Sequence, residues 1–363
     1  MSTHAPVAAV VLAGGHGSRL APWTDHLPKP LVPAANRLAV SYSLELLARS
    51  DIRDVAVVYV DPRVRSWVER AWAGEFDFVW VLERERKGTG GALTDLPRDF
   101  RDKHVVVLAA DMVNTVNLEE LVAAHLESRA DVSLACAWAP AEIWEGDIVE
   151  ADNGRHVTRY GPMTAGLPVS EQVLGSVGVQ VLAPGRVWSL IPDDTFTHLS
   201  DDVLPAAVAG GLAVGCFVTP QFPWDFGYPA ELHEGASLLL ADEFAPLFAF
   251  GPSAPFVDPD ARVHAEATLV GPVHVAAGAQ VEAGVHVVGP STIGHEAHVG
   301  TDARIERSVI MPGHRVPAGA HLKDVLAGTP SEVEGALTRW LERRPDAVRC
   351  WTPPVFDCAG DAR

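Results

Sequence analysis

From Val257 onward the chain repeats every six residues. Val257, Val263, Leu269, Val275, Val281, Val287, Ile293, Val299 and Ile305 are aliphatic, spaced six apart without a miss. Four residues after most of them comes something small: Ala261, Ala267, Val273, Ala279, Val285, Ser291, Ala297 and Ala303. A period of six fits neither the 3.6-residue turn of an α-helix nor a hairpin meander. It fits a hexapeptide β-solenoid, in which each aliphatic residue points inward and stacks on the one a coil below. The register slips after Ile305 and resumes at Ile310, Val316 and Leu322. With three hexapeptides to a triangular coil, residues 257–327 make about four coils of a left-handed parallel β-helix. His264, His274, His286, His295, His298, His314 and His321 fall mostly at outward repeat positions, where solvated corner residues are expected rather than a metal site.

Residues 1–242 follow a different rhythm. Val7–Leu12, Val55–Val60, Phe76–Leu82 and Val105–Ala109 are β-branched-rich runs of strand length, while Tyr42–Ala48 and Val64–Trp72 carry helical spacing. The alternation reads as βαβ units, hence an α/β, doubly wound, Rossmann-like parallel or mixed sheet covered by helices. Ligands of such sheets bind beyond the carboxyl ends of the strands, so the loops after Leu12, Leu82 and Ala109 are the places to look. Residues 243–256 (EFAPLFAFGPSAPF) dissolve into Pro, Gly and Phe and read as a linker. Residues 328–363 form a C-terminal helix and tail. Thr329-Pro330-Ser331-Glu332 has the pattern of a helix cap, and Val333, Leu337, Trp340 and Leu341 make one apolar stripe.

Composition narrows the partners. The formal charge of −19 repels nucleic-acid phosphates and anionic lipid, so neither is expected as a partner. The apolar run Val7–Ala13 is too short to span a bilayer and lacks a preceding basic region, which points to a cytoplasmic chain. Cys136, Cys216, Cys350 and Cys358 sit far apart in sequence, with no zinc spacing, and read as buried or tail thiols.

The first strand runs straight into LAGGHGSRLAPWTDHLPKPLVP, Leu12–Pro33. This is neither a dinucleotide G-x-G-x-x-G nor a Walker loop, since Ser18-Arg19-Leu20 follows Gly17 and no G-K-[ST] is present. Three glycines after a strand nevertheless suit close approach of backbone amides to phosphates, with Arg19 as a charged clamp. Lys29 lies between Pro28 and Pro30, which restrict the backbone on either side of it. A rigid cation beside a glycine nest is what phosphoryl or nucleotidyl transfer needs.

This segment resembles the signature of the sugar-nucleotide pyrophosphorylases, nucleotidyltransferases that join an NTP to a sugar 1-phosphate. The family pattern, roughly G-G-x-G-[ST]-R-L-x-P-L-T-x-x-x-P-K-P-L-x-P, is matched throughout except that Trp23 stands where Leu is usual. Relatives with a C-terminal hexapeptide solenoid, the mannose-1-phosphate and heptose-1-phosphate guanylyltransferases, look closest. GTGGAL, Gly88–Leu93, is similar to their G-T-[AG]-G-[AP]-[LI] segment beside the base. Asp111 ends VVVLAADM where the family has a metal-binding aspartate, and Asp225 in WDFGYPAEL falls near a second, more loosely matched one.

The resemblance implies a role for each position. Leu12, Gly14, Gly15, Gly17, Ser18, Gly88 and Thr89 would bind the nucleotide. Arg19 and Lys29 would be catalytic, Arg19 on the departing pyrophosphate and Lys29 at the α-phosphate. Asp111 and Asp225 would hold Mg²⁺. The attacking sugar phosphate has a second pKa near 6 and is largely ionised at neutral pH, so no general base is required.

On the sugar side the chain departs from the family. Gly161 occupies the place of the lysine in a family E-K-P segment, leaving Arg159 or Arg155 to meet the sugar phosphate. Ser176, beside Gly175 in GSVGVQV, takes the place of an asparagine. These changes imply an acceptor other than the usual hexose, with heptose and valienol 1-phosphates as candidates. GTP is the favoured nucleotide. Mannose 1-phosphate as acceptor, and thymidylyl, adenylyl or uridylyl transfer to glucose 1-phosphate, are the alternatives. A non-catalytic sugar-nucleotide-binding subunit and a solenoid acyltransferase are alternatives of other classes. The solenoid is expected to mediate homo-oligomerisation.

Overall fold

A computed structural model describes residues 5–142, 144, 146–153, 155–163, 171–220, 223–240 and 255–343, the side chains of residues 340–343 excepted. The chain forms two compact units that are not the linear segments expected. Residues 1–15, 42–65 and 74–224 make the first, and residues 16–41, 66–73 and 225–363 the second.

The first unit is built on a nine-stranded sheet. Its strands are β1 (Val7–Ala13), β2 (Asp54–Tyr59), β3 (Asp77–Leu82), β4 (His104–Ala109), β5 (Val132–Pro140), β6 (Asp147–Asp152), β7 (His156–Pro162), β8 (Gln172–Leu182) and β9 (Val214–Val218). They lie in the order β3-β2-β1-β4-β8-β5-β9-β7-β6. The first four are parallel, as the βαβ alternation requires. Beyond β4 the sheet is mixed, because β8 runs antiparallel to both β4 and β5. Ala8, Val10, Ala56, Val58, Val105 and Val107 from three adjacent strands are buried in one core with Leu134, Leu182 and Val214. Burial on both faces explains why these strands read as unbroken β-branched runs. Cys136 and Cys216, distant in sequence, sit on the paired strands β5 and β9 as free thiols, the former buried and the latter half-buried. Cys350 and Cys358 lie outside the described residues.

In the second unit the period of six becomes three parallel sheets of five, four and four short strands. Val263 pairs with Val281, Val281 with Val299 and Val299 with Val316, while Leu269, Val287, Ile305 and Leu322 stack likewise on another side. Three sides of six residues return each aliphatic position above its counterpart, and Val287, Ile293, Val299, Ile305 and Ile310 are all fully buried. The strand Phe256–Val257 already pairs with the next coil, so the repeat begins one residue before the expected boundary. The rest of the expected linker, up to residue 254, lies outside the described residues. The slip after Ile305 is a shortened corner: Ser308 is fully buried, its amide donates to Ser291 Oγ at 3.1 Å, and its own Oγ donates to the Glu306 carbonyl at 2.7 Å.

Two of the seven solenoid histidines depart from the solvated positions expected. His274 and His295 are buried because the tight hairpin Pro33–Leu38 lies over that sheet, with Asn36 Nδ2 donating to the carbonyls of His274 (3.4 Å) and Ile293 (3.2 Å). The C-terminal helix, Pro330–Arg343, starts where its cap pattern placed it. The Thr329 amide donates to Glu332 Oε2 (2.9 Å) and the Glu332 amide to Thr329 Oγ1 (3.3 Å). Val333 and Leu337 of its stripe are buried, and the Trp340 and Leu341 side chains lie outside the described residues. Among the described residues, no helix is long and apolar enough to cross a membrane.

Candidate active site

The first unit contains a cavity of about 220 Å³ at the carboxyl ends of β1, β3 and β4. Leu12, Gly14, Gly15, Gly88, Thr89 and Asp111 all line it, bringing together six of the positions read from sequence. A Cβ on Gly14 would overlap the Glu83 carboxylate, so a larger residue there would have to displace that carboxylate. Glu83, the first residue after β3, is 8% exposed and lines the cavity. Its amide donates to the Tyr59 carbonyl at 2.8 Å and its Oε1 accepts from the Lys87 amide at 3.0 Å, which fixes the carboxylate at the head of the GTGGAL turn.

The glycines of that turn have a clear reason. Gly88 has φ +76, and a Cβ on it would stand 2.5 Å from the Thr197 carbonyl oxygen. On Gly90 a Cβ would stand 3.1 Å from the same oxygen, and on Gly91 2.8 Å from the Thr195 carbonyl oxygen. The amides of Gly90 and Gly91 donate to the Thr197 carbonyl at 2.8 and 3.0 Å, and the Thr197 amide returns a bond to the Lys87 carbonyl at 2.7 Å. The glycine-rich turn is thus zipped to residues 195–197. Phe196 and His198, from the same stretch, also line the cavity.

The second unit holds Gly17, Ser18, Arg19, Lys29 and Asp225. Lys29 opens the single 3₁₀ turn Lys29–Leu31 after the extended Pro28 and is 6% exposed. Its Nζ lies 3.6 Å from Asp225 Oδ1. Gly17, at φ +65, packs against the lysine stem: a Cβ there would stand 2.9 Å from Lys29 Cβ and 2.8 Å from Thr24 Cγ2. Thr24 Oγ1 also donates to the Gly17 carbonyl at 2.8 Å. Ser18 and Arg19 follow in a second 3₁₀ turn, Ser18–Leu20. Arg19 Nη1 donates to the Tyr228 hydroxyl at 3.3 Å, and its guanidinium sits 4.8 Å from the centre of that ring. The hydrogen bond to Tyr228, with Asp225 and Glu231 adding attraction, holds the Arg19 pKa above its usual value. Glu231 in turn accepts from the amides of Gly227 (2.5 Å) and Tyr228 (2.6 Å), capping the helix Pro229–Leu239 that follows. Trp23, the departure from the family pattern, is buried.

The acceptor-side positions do not line the cavity. Arg159 is exposed and pairs with Glu150 at 3.5 Å. Gly175 lies under the indole of Trp144, which a Cβ would overlap. Ser176 interacts with the half-buried Tyr160, whose hydroxyl donates to Asp147 Oδ2 at 2.9 Å. Burial raises the pKa of the Tyr160 phenol and of the Asp147 carboxyl. Glu83, Arg86, Phe196 and His198 line the cavity but carry no sequence motif. The loop after Leu82 marks the neighbourhood of the first two, and nothing local marks the others.

Residues 8–159 match the family described as nucleotidyl transferase. The likeness to that family is carried by these residues, about two fifths of the chain. A glucose-1-phosphate adenylyltransferase of Paraburkholderia phytofirmans is 30% identical over 236 residues, covering 57% of this chain and 56% of the relative. The chain therefore spans little more than half the length of that relative. A UTP–glucose-1-phosphate uridylyltransferase of Synechocystis is 26% identical, with 92% of each protein covered. A mannose-1-phosphate guanylyltransferase of Mycobacterium tuberculosis is 27% identical, covering 88% of this chain and 83% of the relative. Among the described residues, no group of three or more His, Cys, Asp or Glu side chains is arranged around one point. Mg²⁺ does not need such a cage. It is commonly held by one or two carboxylates together with substrate phosphates and water.

Proposed function

We infer that this protein transfers a nucleotidyl group from an NTP, with GTP preferred, to the phosphate of a sugar 1-phosphate or sugar-like cyclitol 1-phosphate, releasing pyrophosphate. The observation that carries this reading is the cavity, in which Gly14, Gly15, Gly88, Thr89 and Asp111 converge at the carboxyl ends of parallel strands.

The chemistry needs little covalent help from the protein. The acceptor phosphate is already an anion and attacks the α-phosphorus, and the bond to the pyrophosphate oxygen breaks. The obstacle is the approach of two polyanions, which calls for neutralisation and in-line orientation. The amides of the glycine loop cradle the nucleotide phosphates. Lys29, carried on a constrained turn, stabilises charge at the α-phosphate, and Arg19, oriented by Tyr228, neutralises the leaving pyrophosphate. Asp111 and Asp225 are the proposed Mg²⁺ carboxylates; the ion, when bound, supplies further charge neutralisation on the phosphates.

Glu83 supports guanine. An ionised carboxylate only accepts hydrogen bonds, and guanine offers adjacent N1–H and N2–H₂ donors on one edge. Uracil and thymine offer one N–H between two carbonyls that would face the carboxylate unfavourably. On the acceptor side we assign Ser176, Gly175 and Arg159. The departures at Gly161 and Ser176 support an acceptor unlike a common hexose, with heptose and valienol 1-phosphates as leading candidates. The solenoid is the proposed homo-oligomer interface.

The test is pyrophosphate release with Mg²⁺ for four NTPs crossed with a panel of sugar and carba-sugar 1-phosphates. One GTP-dependent pair is the expected result. Release with no pair, from folded protein, would overturn the reading and favour a non-catalytic sugar-nucleotide-binding subunit.

A further inference from the structure

The backbone around Thr197 alternates in a way that gives its side chains two different jobs. His198 is extended, at φ −93 and ψ 143, and residues 196 and 197 belong to no helix or strand. In extended chain, successive side chains leave on opposite sides. The carbonyls of Thr195 and Thr197 seat this stretch on the glycine-rich turn, while Phe196 and His198 both line the cavity.

Two features mark these side chains as built for a ligand. Phe196 is 60% exposed, the most exposed large apolar side chain among the described residues, and it stands at the rim of a cavity that already gathers a glycine loop. Its ring meets the His198 imidazole edge to face, with centroids 4.9 Å apart and planes at 89°. His198 is held at two points. Its amide donates to Asp202 Oδ2 at 2.7 Å, and its Nδ1 lies 3.4 Å from Thr89 Oγ1. The Thr89 hydroxyl accepts from the Leu199 amide at 2.9 Å and has its proton to offer to His198 Nδ1. A neutral imidazole that accepts at Nδ1 carries its proton on Nε2. With the Thr89 hydroxyl donating, the ring presents its Nε2–H as a donor.

We propose that Phe196 and His198 form the nucleoside-binding wall of this cavity: the Phe196 ring stacks on the base, and His198 Nε2–H donates to an acceptor atom of the same nucleoside. The proposal rests on the nucleotide-binding reading above and adds to it two residues that no motif announces. It also gives the glycines of the turn a functional purpose. By admitting the backbone of residues 195–197 at close range, they bring the wall to the cavity.

The experiment is calorimetric titration of the full chain with each Mg²⁺–NTP in the absence of acceptor, and separately with Mg²⁺–pyrophosphate. Phe196→Ala should weaken binding of the best nucleotide about tenfold, within the range for loss of one base–aromatic stack, and Phe196→Trp should retain it. His198→Ala should weaken it several-fold, and His198→Gln, which can present an N–H near the position of Nε2, should recover most of the loss. Pyrophosphate affinity should stay within twofold throughout, because it lacks the nucleoside. Unchanged nucleotide affinity in both alanine variants would overturn the wall. So would equal losses for nucleotide and pyrophosphate, which would mark a merely structural role. Failure of the wild-type chain to bind any NTP would instead overturn the nucleotide reading itself.

Discussion

The Lys29 ammonium is nearly buried and lies 3.6 Å from the Asp225 carboxylate. In the absence of substrate, this pair is a reserve of opposite charge. A phosphate brought to Lys29, or a cation brought to Asp225, replaces one partner by another of the same sign, so neither group need stand uncompensated on the way to the loaded state.

Replacing the lysine by an isostere therefore separates charge from packing. Lys29→Met keeps a flexible stem of similar length in the same buried turn and removes only the ammonium. We expect kcat for nucleotidyl transfer to fall about 10²–10³-fold, as when one preorganised transition-state donor is removed, with the melting temperature unchanged or raised. Asp111→Asn is expected to abolish turnover while leaving the fold intact. Steady-state rates paired with thermal unfolding check both, and near-normal rates in either variant would remove the mechanism.

Gly17 sets the shape of the same turn. Its φ of +65 and its contact with the lysine stem leave no room for a methyl group. Gly17→Ala should destabilise the second unit by about 1–3 kcal/mol, combining left-handed strain with overpacking. It should also lower kcat by displacing Lys29. Urea unfolding measures the first effect, and the rate at saturating substrates measures the second.

Much of this arrangement could be read before any coordinate. The period of six survives as a register because an inward residue in a solenoid has one place to go, and Val281, Val299 and Val316 stack as the spacing demands. That Gly14, Gly15 and Asp111 line a cavity could be expected, because clefts in parallel sheets open beyond the carboxyl ends of the strands. Glu83 was not, since a lone acid after a strand looks like any loop cap. Nor were Phe196 and His198, which reach the glycine-rich turn across 109 residues of sequence through bonds from a segment without a pattern of its own. His274 and His295 occupy repeat positions that are normally solvated. Only the hairpin at Asn36, more than 200 residues earlier, buries them.

That burial has a consequence for pH. Desolvation lowers His274 and His295 to about 3, and it lowers His125, which also faces His104, to about 4. Within that buried site His125 Nδ1 meets Ser133 Oγ at 2.8 Å and Nε2 meets His104 Nδ1 at 2.9 Å. The unfolded chain, with histidines near 6.5, binds more protons than the folded one between that value and the depressed pKa. Stability is then full above about pH 6.5 and falls as the pH drops toward 4 and 3. Each buried histidine contributes a slope of up to ~1.4 kcal/mol per pH unit within its window. Urea midpoints measured at pH 8, 6 and 5 should be level above 6.5 and decline steeply below. A flat profile down to pH 5 would contradict the burial.

Gly175 poses the sharpest choice between two roles, because its place in the sequence suggests the acceptor and its surroundings suggest packing. The Trp144 indole lies directly on it, is itself buried with its Nε1 donating to the Asp147 carbonyl at 3.2 Å, and packs with Ala139, Ile148 and Val173 in a small separate core. A methyl group at residue 175 must push that ring away. Gly175→Ala is accordingly expected to cost about 1–3 kcal/mol of stability and to shift tryptophan emission as the indole gains solvent. Because Asp147 also receives the Tyr160 hydroxyl bond beside Ser176, movement of Trp144 would reach the proposed acceptor residues indirectly. The KM for the sugar phosphate should therefore rise together with the fluorescence change. A raised KM with unaltered stability and emission would mean that Gly175 meets the acceptor itself rather than seating the tryptophan.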